Sequence, residues 1–124
     1  MNAIELARQG YAPKAFPLKS ERAVEAQIIG QVTARLRKSA ANADKDFPAF
    51  VQALHDNRKM WTMLALDVAD SDNGLEQTLR AQIFYLAEFT EQHTVKVLRG
   101  AASADALIEI NTAILRGLNA AKGA

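Results

Sequence analysis

The sequence contains no cysteine. Disulfide frameworks, thiolate zinc sites and cysteine nucleophiles are therefore excluded, and the composition suits a cytosolic protein. No uninterrupted apolar run approaches the ~20 residues that a membrane span requires. The first twenty residues set Glu5, Arg8, Gly10, Pro13 and Pro17 among short apolar pieces, a pattern of neither a signal peptide nor a transit sequence. A soluble protein that stays in the cytoplasm is expected. Strong charge of one sign is also missing, since the net charge is +1. Residues 1–45 hold eight Lys/Arg against four Asp/Glu, and residues 46–124 hold seven against ten. Neither half is basic enough to imply nucleic acid. The cluster Arg35, Arg37 and Lys38 points in several directions around a helix, with no aromatic interleaved for base stacking. A solvated helix end, where cations suit the dipole, explains it, and direct RNA binding is not expected.

Catalytic and metal-binding patterns are absent as well. His55 stands next to Asp56, but adjacent helical residues face different ways. His93 has no second histidine at helical spacing, so no metal pair forms. Asp70, Asp72 and Gly74 resemble pieces of a calcium loop, yet the glycine comes one position early and Ala81 stands where the bidentate glutamate is needed. There is no phosphate-binding glycine loop and no nucleophile–base spacing. No enzyme, metal, cofactor or small-molecule substrate is expected.

What is present is helix. The 124 residues fit one domain, residues 1–124, and 49% of them are hydrophobic and 23% charged. Ala, Leu, Gln, Glu, Lys and Arg dominate, and these lose little entropy in a helix. The spacing predicts a short helix over Ala3–Gln9, then an extended connector to residue 19 because Pro13 and Pro17 cannot continue it. Ser20 caps a long helix to about Ala41, with the stripe Val24, Ile28, Ile29, Val32 and Leu36. Asp44 or Asp46 caps the next, on which Phe47, Phe50, Val51, Leu54, Trp61, Ala65 and Val68 form one face. The run from Asp70 to Gly74 breaks it. A further helix spans Leu75 to Arg99 and is closed by Gly100. Ser103 caps the last, to about Leu118, on the stripe Leu107, Ile110, Ile114 and Leu118, and the tail from Ala120 is expected to fray. The expected fold is all-α: a single small bundle of four main helices plus a short N-terminal helix.

Several polar residues fall inside the apolar stripes: Glu25, Asn57 with Arg58, His93 with Thr90, and Asn111. One reading makes Glu25, Arg58, His93 and Asn111 a buried polar layer in which Arg58 pairs with Glu25. The other sets such groups around a groove for a partner's helix. The layer is the preferred reading, because buried polar groups are usually satisfied internally. The Leu75–Arg99 helix has a second apolar side in Phe84, Ala87, Val95 and Leu98. Such a helix is either central, the expectation here, or offers one side to a partner.

Read in order, the segments resemble the FlaF family of bacterial flagellar biosynthesis regulators. Ser20-Glu21-Arg22 with Glu25 opens the series, and Gln31-Val32-Thr33-Ala34-Arg35-Leu36 continues it. The most distinctive stretch is Ala53-Leu54-His55-Asp56-Asn57-Arg58-Lys59-Met60-Trp61. Leu79-Arg80-Ala81-Gln82-Ile83, Leu86-Ala87-Glu88-Phe89, His93-Thr94, Val97-Leu98 and Leu107-Ile108-Glu109-Ile110-Asn111 through Gly117-Leu118 complete it. The similarity runs from about Tyr11 to Leu118. It departs from the family pattern at Gly74-Leu75-Glu76, where a Leu-Pro pair is common, and at Thr112, where Arg is common. The resemblance implies a cytoplasmic protein of flagellar assembly that supports flagellin production or export. Its implied partners are flagellin, as the client of a secretion chaperone, or an FlbT-like regulator in post-transcriptional control of flagellin messenger RNA. Protein binding is preferred, and the candidate partner-binding residues are Asn57, Arg58 and Trp61, with Trp61 as either anchor or core, and separately Phe84 and Leu98. A structural module that dimerises through the Leu75–Arg99 helix is the third expectation.

Overall fold

The computed structural model describes residues 21–70, 72 and 74–123. Their regular elements are α1 (Glu21–Ala41), α2 (Phe47–Ala69), α3 (Gln77–Leu98) and α4 (Asp105–Gly123). No strand occurs among the described residues. The helix expected over Ala3–Gln9, the connector after it and the Ser20 cap lie outside them.

Local chemistry sets the helix ends. Asp46, not Asp44, caps α2: its side chain accepts a hydrogen bond from the Ala49 amide at 3.2 Å, and Pro48 sits in the first turn where its missing N–H costs nothing. Arg80 closes the other end of α2, donating to the carbonyl of Val68 at 2.8 and 3.1 Å and to that of Asp70 at 3.0 Å. These are last-turn acceptors without helical donors. α3 starts two residues later than expected. Gly74 takes a left-handed φ of 87°, and Leu75 is buried in the core before the helix begins. At the far end of α3, Gly100 with φ 75° allows its own N–H to reach the Val97 carbonyl and that of Ala101 to reach Lys96, a Schellman closure. Ser103 Oγ accepts from the Asp105 amide at 3.3 Å to open α4. α4 continues to Gly123, as no residue between Leu118 and that glycine breaks a helix.

α1 packs against α2 and, most extensively, against α4; α2 also packs against α3, while the α3–α4 contact is slight. The expectation that this helix is central is therefore corrected: α3 is an edge helix with only Ile83, Thr90, Thr94 and Val97 buried. Phe47 and Val51 also leave the predicted face. Both are exposed, and Phe47 lies edge-on to Phe50 with centroids 6.2 Å apart. They lie to one side of the stripe in the first turns of α2, whose centre, Phe50 and Leu54, is buried.

The core has two apolar halves. One gathers Ile29, Met60, Trp61, Leu64, Ile83, Ile114 and Leu118; the other gathers Leu36, Phe50, Leu54, Val97 and Leu107. Each fully buried large aliphatic side chain contributes ~1.5–3 kcal/mol relative to exposure. Between the halves, at one level of the bundle, lie Thr33, Asn57 and Asn111, all buried.

Candidate functional site

The polar level comes first because it decides which side chains remain for a partner. Asn111 is its centre. Its Oδ1 accepts from Trp61 Nε1 at 2.8 Å, and its Nδ2 donates to Asn57 Oδ1 at 2.8 Å and to Thr33 Oγ1 at 3.0 Å. Thr33 in turn donates to the Ile29 carbonyl at 2.6 Å. One side chain thus ties α4 to α1 and α2. Thr94 on α3 is fully buried but donates only within its own helix, to the Thr90 carbonyl at 2.6 Å. Thr90 Oγ1 and Asn57 Nδ2 are buried without a hydrogen-bond partner.

Of the four expected layer residues, Glu25 and Asn111 are buried, and Arg58 and His93 are not members. The expected pairing of Arg58 with Glu25 is replaced by one with Glu91. Arg58 donates through Nε to Glu91 Oε2 at 3.1 Å and through Nη2 to Oε1. A long side chain keeps its charged head in water wherever its stem lies, and this guanidinium does so at about a third exposed. The hydrogen bond to Glu91 raises the Arg58 pKa above its ordinary value, with burial opposing and the neighbouring charge reinforcing. On the basic side, the contribution of this contact is therefore lost as pH rises beyond the usual arginine range. His93 is half-buried, stacked on Phe89 with centroids 5.3 Å apart, and its Nε2 lies 3.1 Å from the Ser103 carbonyl. It ties α3 to the loop before α4. Thr33, a member of the level, and Thr94, buried on α3 but bonded only within its own helix, were missed by sequence reasoning; their signal was a threonine on an otherwise apolar line.

Among the expected anchors, Asn57 is fully buried and Trp61 is 1% exposed, so Trp61 is core and its indole N–H is already used. Phe84 and Leu98 are exposed as expected for a second face. They do not share a site: fourteen residues separate them along α3, ~21 Å at 1.5 Å per residue.

Phe84 belongs to a crevice of about 1200 Å³ between the outer sides of α2 and α3. α2 supplies Lys59, Met63, Leu66 and Ala69 to one wall, and α3 supplies Phe84, Ala87, Glu88 and Glu91 to the other, with Trp61 and Thr90 at the floor. Leu66 is 68% exposed and Phe84 54%. From His55 to Ala69 the α2 wall is ~21 Å long, about four helical turns. The Arg58–Glu91 pair bridges the two walls near one end of the crevice, with Lys59 and Glu88 close by, and Met63, Leu66 and Phe84 lie toward the other end. Met63 and Leu66, three residues apart and off the core line of α2, were overlooked in the sequence; that spacing was the available signal. The arrangement offers apolar area with a charged border and no set of convergent titratable groups. Among the described residues there is no cluster of three or more potential metal ligands, and no helix is long and apolar enough to cross a membrane.

No curated protein and no solved structure matches the chain. A family model described as flagellar protein FlaF matches residues 7–118. That span takes in all of α1, α2 and α3 and most of α4, including every residue of the crevice, and the chain belongs to the FlaF family of flagellar proteins.

Proposed function

We propose that this protein is a non-catalytic cytoplasmic chaperone of flagellin, receiving an amphipathic helical segment of its client in the α2/α3 crevice before export. The observation that carries this reading is the exposed apolar strip Met63–Leu66–Phe84 in a crevice whose two walls face each other over about two helical turns. Helix-in-groove recognition uses such a strip, with anchors at helical spacing on the client. Large exposed apolar groups clustered in one concavity mark interaction sites, because a monomer gains nothing by leaving them in water. Family membership supports a flagellar client. Lys59 and Glu88 on opposite walls would set the direction in which the client helix lies.

Calorimetric titration of flagellin into the purified protein tests this reading, with Leu66→Ser and Phe84→Ser as variants. Both side chains are exposed, so circular dichroism should report an unchanged fold. Binding should weaken about tenfold or more in each, since truncating an interface anchor commonly costs ~2 kcal/mol. Response to salt should be weak, unlike that of an RNA complex. Heat evolved with an FlbT-like regulator but not with flagellin would replace the chaperone by a regulatory adaptor.

A further inference from the structure

We propose that two copies of this chain pair through the α2/α3 face about a two-fold axis running along the crevice. The face gathers exposed apolar side chains on both walls of one crevice, with Leu66 and Phe84 each more than half exposed. A two-fold interface must be complementary to itself. This face meets that demand through the signs of its walls. The α2 wall contributes His55, Arg58 and Lys59 and no acid; the α3 wall contributes Glu88 and Glu91 and no base.

The register completes the argument. α2 and α3 run antiparallel, with Arg58 level with Glu91 and Val68 level with Arg80. Rotation about an axis along the crevice exchanges left and right and preserves height. It lays α2 of one copy over α3 of the other. Lys59 then stands within a turn of Glu88 of the partner subunit, and Leu66 faces Phe84 of the partner subunit. An axis across the crevice would instead lay α2 on α2 with heights reversed, where Lys59 meets no acid because the α2 wall lines the crevice with none. Charge therefore selects one of the two face-to-face arrangements. The pairing covers the same apolar strip that a client helix would occupy, so a client and a second copy exclude one another. The pairing itself does not depend on what the client is.

Sedimentation velocity of the full-length chain over a concentration series tests the pairing. The wild-type protein should shift from monomer to dimer as concentration rises. Lys59→Glu or Glu88→Lys alone should weaken the dimer about tenfold or more, because each reversal occurs twice per dimer and replaces attraction by repulsion. The double variant Lys59→Glu/Glu88→Lys should restore it. Both residues are exposed, so circular dichroism of every variant should match the wild type. A wild-type chain that stays monomeric throughout overturns the proposal, and so does a dimer indifferent to both reversals.

Discussion

Replacing Asn111 by leucine isolates the polar level from the apolar packing around it. The two side chains have similar volume, so the change leaves no large cavity. It removes three hydrogen bonds at once. Thr33 keeps a partner in the Ile29 carbonyl, so its hydroxyl is not stranded. Trp61 Nε1 loses its acceptor, and the Asn57 side chain, whose Nδ2 already lacks a partner, loses its remaining one. A buried polar group left unmade costs ~1–3 kcal/mol, and two such groups cost ~2–6 kcal/mol. Extra apolar burial by leucine offsets ~1 kcal/mol, which leaves a net loss of about 1–5 kcal/mol against a typical total of ~5–15 kcal/mol. Urea unfolding followed by the fluorescence of Trp61, the sole tryptophan, measures this at the residue concerned. The double variant Asn111→Leu/Trp61→Phe, followed by circular dichroism, removes the stranded N–H and should be less destabilised than the sum of the two single changes. Stability of Asn111→Leu within ~0.5 kcal/mol of wild type would refute the reasoning, because it would mean that these bonds contribute no more than an apolar contact.

Three further substitutions separate backbone effects from side-chain contacts. Gly30→Ala, in the interior of α1 with open space where a Cβ would stand, should stabilise by ~0.5–1 kcal/mol and raise the thermal midpoint. Gly100→Ala meets no neighbour either, but its φ of 75° is unfavourable for alanine; a loss of ~1 kcal/mol in the same thermal assay is expected, and a gain would show that the closure of α3 does not need glycine. Arg80→Met removes three donations to the end of α2 and should cost ~1–2 kcal/mol, with amide exchange quickening over Ala65–Asp70. Unchanged exchange there would assign the capping of α2 to water.

The helices of the described region were legible because their signals are local. Asp46, Pro48, Gly100 and Ser103 act within a few residues of themselves, and the stripes through Leu54, Ile83, Leu107 and Leu118 repeat at the helical period. Polar positions on those stripes were legible for the same reason, which is why Asn57 and Asn111 were identified. Their partners were not. Periodicity gives the direction of a side chain around its own helix and says nothing of which helix stands opposite. Asn111 meets Trp61 fifty residues away, and Arg58 meets Glu91 thirty-three residues away, through assembly alone. Trp61 stayed open between anchor and core for the same reason, since an aromatic with a polar handle suits both equally, and the structure buries it. The crevice escaped because Met63 and Leu66 sit in the largely apolar run of residues 61–69, where the core stripe through Trp61, Leu64 and Val68 hides a second apolar side.

The way in which Asn111 divides the bundle has a mechanical consequence. Its bonds knit α1, α2 and α4 into a three-helix unit and leave α3 outside, since Thr94 bonds within α3 and Thr90 bonds to nothing. Lifting α3 therefore breaks no bond of the polar level. Resistance comes from Ile83 and Val97 in the core, the two arginine contacts from Arg58 and Arg80, and the His93 tether. The crevice wall that carries Phe84 thus stands on the one helix that the polar level does not hold, and its position can shift without breaking the bonds that keep the other three helices in register.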